Sequence, residues 1–151
     1  MKWIECLADL IFPRKCEICG RLLTGDERYI CEDCMEDMPL TYYWDWPENP
    51  AEKKLWVRTH LHRVIPLFFY TRESRYITLI HKIKYQGKAH LGHHMGFMLG
   101  EKLRGVLSDV DYVVPIPLHP IRRWRRGYNQ AEIIAGGVTE ALFGKDKAKR
   151  H

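Results

Sequence analysis

Two groups of side chains in this sequence could do chemistry. The first is Cys16, Cys19, Cys31 and Cys34, set in the run CEICGRLLTGDERYICEDC as C-x2-C, eleven residues, C-x2-C. Each pair lets two thiolates converge on one ion, and the stretch between returns the chain so that the second pair closes a tetrahedron. Four thiolates make a soft site suited to zinc, with iron in a rubredoxin-like arrangement as the alternative. Two disulfides or four unligated thiols are the competing readings. The doublet spacing and an N-terminus that does not read as a secretion signal favour metal. A four-cysteine site leaves no open position, so its metal is structural. Gly20 follows the first pair, where a tight knuckle needs positive φ, and TGDE at 24–27 reads as a turn between short strands RLL and RYI. The fifth cysteine, Cys6, reads as a buried small hydrophobe on an N-terminal helix formed by Ile4, Leu7, Leu10 and Ile11 and stopped by Pro13.

The second group is cationic. VPIPLHPIRRWRRGYNQAE, residues 114–132, packs Arg122, Arg123, Arg125 and Arg126 into five positions. Like charges so close repel one another, which points to an anion among them. Guanidinium forks suit phosphate oxygens, and Gly127 lets a backbone approach closely. Asn129 followed by Glu132 has capping-box spacing, so Tyr128, Asn129 and Gln130 open a helix whose free N–H groups favour negative charge. The stretch reads as a phosphate or pyrophosphate cradle. A solvated basic loop and a non-specific nucleic-acid contact are the other readings.

Positioning these groups requires a scaffold. VIPLFFY at 64–70 and DYVVPIPL at 111–118 read as buried strands, the second loosened by Pro115 and Pro117. Ile77, Ile80, Ile83 and Lys84 fall at helical spacing before Gly87. Leu91, Met95, Met98, Leu99 and Leu103 mark a second helix, whose three internal glycines weaken it or signal close packing. His90, His93 and His94 on that helix read as surface or packing residues rather than a second metal site. Ala131, Ile134, Ala135, Val138 and Leu142 form the buried stripe of a last helix. The order strand, helices, strand, helix predicts a parallel α/β arrangement, with the arginine loop at the carboxyl end of a strand. The expected division is 1–39 for helix and zinc ribbon, 40–62 for an irregular linker, and 63–151 for an incomplete α/β domain. The linker aromatics Tyr42, Tyr43, Trp44 and Trp46 read as packing, or as a stacking platform for bases.

Charge follows the same division. Residues 1–50 carry 5 Lys/Arg against 11 Asp/Glu, and residues 51–151 carry 19 against 8, for a net +5 overall. Such asymmetry suggests two units with different partners, the basic one attracting phosphates. A hydrophobic fraction of 46% excludes a disordered chain. No apolar run approaches the roughly 18–20 residues of a membrane span, so a cytoplasmic protein is expected.

LADLIFPRKCEICG, the four-cysteine ribbon, LIHKIKYQGKAHLGHHMG and DYVVPIPLHPIRRWRRGYNQAEIIA together resemble the ComF family of competence-associated proteins, over residues 1 to about 140. The resemblance implies a zinc ribbon followed by a type I phosphoribosyltransferase-like domain that binds phosphoribosyl pyrophosphate or a nucleotide-like anion, usually with Mg²⁺. It puts the segment 118–128 on the pyrophosphate side of the site and Lys84 and Tyr85 in the hood above it. It also implies a link to DNA uptake, with single-stranded DNA or uptake proteins as partners. A zinc-ribbon binding module without catalysis is the alternative. Members of the family carry a hydrophobic strand, two adjacent acids and a Thr/Gly-rich loop that hold ribose and 5′-phosphate. No such stretch occurs in these 151 residues. The chain therefore reads as the front portion of such a protein, inactive by itself.

Overall fold

A computed structural model of the chain describes residues 13–144 except Ser108. The expected N-terminal helix, with Cys6, lies outside the described residues. The chain divides into two compact units, Met1–Pro39 with Tyr70–His81, and Leu40–Phe69 with Lys82–His151.

The first unit is built on turns. Gly20 takes φ +77° and its N–H donates to the Cys16 carbonyl at 3.0 Å. The expected strands RLL and RYI reduce to one antiparallel bridge, Lys15 to Leu22. The TGDE turn forms, with Glu27 N–H donating to the Thr24 carbonyl at 3.2 Å. Helix α1, Glu32–Glu36, follows with Cys31 as its N-cap residue. The Glu27 carboxylate accepts from Thr24 N at 2.7 Å and Glu32 N at 2.7 Å, so one side chain ties the turn to the start of α1. Those two N–H groups hold its carboxyl below the ordinary glutamate value. The segment 70–81 is fastened to the ribbon through Tyr76, whose buried hydroxyl donates to the Cys34 carbonyl at 3.0 Å.

The second unit contains a helix where an irregular linker was expected. Helix α2, Pro50–Trp56, starts with Asn49 as N-cap, Pro50 in its first turn and Glu52 closing a capping box. That is the N-terminal signature of a helix, and the prolines and aromatics around it obscured it. Tyr43 and Trp44 are buried, while Tyr42 and Trp46 are exposed. Trp44 joins Leu103 and Val138 in the core, with Leu40, Ile65 and Leu67 packed alongside.

Helices α3, Ile77–Tyr85, and α4, Ala89–Leu103, form where their periodicity predicts, separated by Gly87 at φ +68°. Helix α5 spans Pro120–Arg126 and α6 spans Gln130–Phe143. Glycine explains how α4 and α6 meet. A Cβ on Gly96 would lie 2.0 Å from the Ile134 carbonyl oxygen, and one on Gly137 would lie 2.0 Å from that of His93. Gly96 and Gly100 of α4 thus mark close approach to the backbone of α6, while Gly92 faces the Ile83 and Ile133 side chains. The face of α6 that meets α4 includes part of the expected stripe: Ile134 lies against Gly96 and Val138 against Gly100, with Gly137 and Ala141 at the same contact. A glycine on each helix is what lets the two backbones come this close. Arg104 Nε donates to the Ala141 carbonyl at 3.1 Å, satisfying an end carbonyl of α6.

No strand forms among the described residues, which corrects both strand expectations. Residues 64–70 contribute one bridge, Phe68 to Leu40. Residues 111–118 form no helix and no strand, and Val114 and Ile116 are 82% and 80% exposed. A strand needs a hydrogen-bonding neighbour, and an apolar run with Pro115 and Pro117 does not supply one by itself.

Candidate metal centre and anion cleft

The four cysteine side chains come together. Their sulfur atoms all lie within 4.8 Å of one another, and Cys19 Sγ is 3.7 Å from Cys31 Sγ. Zinc–sulfur bonds of about 2.3 Å in a tetrahedron place sulfurs roughly 3.8 Å apart, so the cage fits this ion. Cys16 Sγ accepts backbone N–H bonds from Ile18 at 3.5 Å and Cys31 at 3.4 Å. Burial pushes the Cys16 thiol up, but the N–H groups of Cys19, Cys31 and Ile18 outweigh it and bring the thiol down to about 6. Burial pushes the Cys31 and Cys34 thiols up. Zinc supplies the positive charge that such buried thiols need to ionise, and its binding releases their protons. Among the described residues no second group of three or more metal-ligating side chains assembles. His93 instead pairs with Glu140, Nε2 to Oε2 at 3.4 Å.

The expected arginine loop is helix α5, with Gly127 as its left-handed cap at φ +79°. Pro120 pre-sets the first turn and Gly127 ends it, which is the usual asymmetry of helix ends. This geometry sorts the arginines. Arg122, Arg125 and Arg126, spaced i, i+3, i+4, line one cleft of about 290 Å³ together with Lys84 and Tyr85 from α3. Arg123 points elsewhere, to Glu132 at 3.7 Å.

The residues after α5 hold it in place. Tyr128 Oη donates to the Ile83 carbonyl one residue before Lys84. Asn129 caps α6 by accepting from Ala131 N at 3.1 Å, and its Nδ2 donates to the Ile116 carbonyl at 3.1 Å. Glu132 does not close the box; it accepts from Asn129 Nδ2 at 3.3 Å. Gln130 accepts from Arg126 Nη1 at 2.9 Å, and the Arg126 guanidinium lies 5.5 Å from the centre of the Tyr85 ring. Among the described residues Lys84, Arg122 and Arg125 have no ionic or hydrogen-bonded side-chain partner. Uncompensated cations around one concavity make an electrostatic trap for a small polyanion.

Sequence reading missed the buried pair of Glu52 and Arg63, 2.8 Å apart with the Glu52 side chain 1% exposed. The capping-box spacing of Asn49 and Glu52 was the signal that could have led to it.

These sites define the class of protein: a zinc ribbon joined to a basic, mainly helical unit. Residues 7–43 match the family described as Double zinc ribbon domain. A stretch of 69 residues, 42% of this chain, is 29% identical to Competence protein F of Haemophilus influenzae. The match spans 30% of that relative's length. No solved structure matches the chain. The chain is a ComF-like, zinc-ribbon-bearing protein. No helix among the described residues is long and apolar enough to cross a membrane.

Proposed function

We propose that the chain binds a pyrophosphate-bearing anion of the phosphoribosyl pyrophosphate or nucleotide class, as a phosphoribosyltransferase-like member of the ComF group. One observation carries this reading. Lys84 and three arginines, from helices about forty residues apart in sequence, line a single cleft. Forked guanidiniums on one helix face present several donors to the oxygens of a diphosphate. Tyr85 adds an aromatic surface at the rim, 69% exposed. In the segment 111–118, Val113 packs on the core while Val114 and Ile116 are exposed, an alternation that fits a sheet strand of such a domain. The name of the curated relative supports a role in competence.

Calorimetric titration of the zinc-loaded chain with pyrophosphate, then phosphoribosyl pyrophosphate, tests the assignment. Charge-assisted hydrogen bonds contribute about 1.5–3 kcal/mol each, so Arg125→Ala combined with Arg126→Ala should lower affinity by about two orders of magnitude. Unchanged affinity in the double variant overturns the reading.

One observation favours a second reading, in which the cleft takes the backbone of single-stranded DNA. Trp124, 87% exposed on α5, offers a stacking surface beside the arginines. An oligonucleotide should then bind with a steep salt dependence and lose affinity in Trp124→Ala, whereas pyrophosphate binding should ignore that substitution.

A further inference from the structure

The four ligand cysteines are not equivalent. Cys16, Cys31 and Cys34 are 2%, 0% and 1% exposed, whereas Cys19 is open to solvent. Their hydrogen bonds differ as well. Backbone N–H groups donate to Cys16 Sγ, those of Ile18 and Cys31 among them. Among the described residues no N–H donates to Cys19 Sγ, whose near neighbour is Cys31 Sγ at 3.7 Å. N–H bonds draw electron density from a metal-bound thiolate and shield it, so an open thiolate without them is the better nucleophile.

We propose that Cys19 is a peroxide-sensitive modification site at which zinc is released from the ribbon, with Cys31 as its resolving partner. The Cys19 thiolate attacks one oxygen of hydrogen peroxide. The O–O bond breaks, hydroxide leaves, and Cys19 becomes a sulfenic acid. The Cys31 thiolate then attacks the Cys19 sulfur, a disulfide forms and a second hydroxide leaves. Two thiolates lose two electrons and the peroxide gains them. Cys16 and Cys34 alone would then remain to hold the ion, two thiolates where a closed site needs four. The fold of the ribbon depends on that ion, so oxidation at one exposed sulfur is converted into loss of the whole motif.

The test uses the zinc-loaded full chain and hydrogen peroxide. Zinc release is followed with a chromogenic chelator, and thiol states are mapped by differential alkylation and mass spectrometry. Cys19 should oxidise first, a Cys19–Cys31 disulfide should accumulate, and zinc should appear in step with it. Cys19→His keeps four ligands while removing the open sulfur, so release should slow by about tenfold or more. Oxidation that begins at Cys16, Cys31 or Cys34, or a disulfide that omits Cys19, overturns the proposal. Should Cys19→His fail to hold zinc, brief N-ethylmaleimide treatment of the native zinc-loaded chain decides the matter. Labelling of Cys19 ahead of the others supports the assignment; even labelling of all four overturns it.

Discussion

Arg63 Nε donates to Glu52 Oε1 at 2.8 Å, and the pair lies inside the second unit. It is a junction more than a contact. The same Glu52 oxygen accepts from Val64 N at 3.1 Å, and its other oxygen accepts from Asn49 N at 3.2 Å. The Arg63 guanidinium also donates to the Tyr43 and Trp44 carbonyls, at 2.9 and 3.3 Å. One carboxylate and one guanidinium therefore tie α2 to the chain before and after it. Removing one partner of a buried pair leaves the other uncompensated, so Glu52→Ala should cost about 3–5 kcal/mol, read by urea unfolding of the second unit.

The same carboxylate sets a pH limit. Burial pushes the Glu52 carboxyl up, but the Val64 N–H and Arg63 hold it down more strongly, so it lies below the ordinary glutamate value. A group whose folded pKa is lowered stabilises the fold above its unfolded pKa, about 4.3 for glutamate. That contribution is lost as pH falls through the lower, folded value. Stability of the native chain should drop on acidification below about pH 4.3, and Glu52→Gln should flatten that part of the profile. Melting temperatures measured across the acid range check this.

Gly96 and Gly137, where the backbones of α4 and α6 touch, should tolerate nothing larger. Alanine is the better helix former by about 1 kcal/mol, yet a Cβ at Gly137 meets backbone at 2.0 Å. Gly137→Ala should therefore destabilise the second unit by about 1–3 kcal/mol or more. Gly105, with nothing within 4 Å of its Cβ position, should accept alanine without loss. Parallel thermal melts of the two variants separate packing from propensity.

The cleft makes a prediction about which cations matter. Lys84→Ala should weaken pyrophosphate binding although Lys84 lies far from the arginines in sequence. Arg123→Ala should leave binding unchanged, because Arg123 faces Glu132 and not the cleft. Equal losses in both variants would mean that net charge, not the cleft, attracts the ligand.

Chelation should act on one unit. Structural zinc contributes about 10–16 kcal/mol in small ribbons. The first unit has few other buried apolar groups, among them Leu23, Ile30 and Met38. Stripping zinc should abolish amide-exchange protection between residues 14 and 38 and leave α4 and α6 protected. Exchange followed by mass spectrometry distinguishes this from global unfolding.

Much was legible in the residues alone. The ribbon could be read because its chemistry is local: four thiolates at fixed spacing, with a glycine where the knuckle turns. Helices α3, α4 and α6 could be read because each carries its own 3.6-residue period and its own stop. The arginine cluster was visible, but its helical form was not. Seven residues beginning with Pro120 and holding four arginines show no apolar period.

What failed depended on distant partners. The runs 64–70 and 111–118 have strand composition, and composition cannot say whether a neighbour exists to complete the ladder. Helix α2 is stabilised by a carboxylate whose partner stands eleven residues away. The sequence by itself determined the metal chemistry, the sign of the charge and the places of α3, α4 and α6, since these follow from side-chain type and short-range spacing. Only the tertiary structure decided how closely α6 approaches α4, which arginines share a cleft with Lys84, and which cysteine faces solvent. Those outcomes depend on how close two backbones approach and on which side chains that approach leaves uncovered.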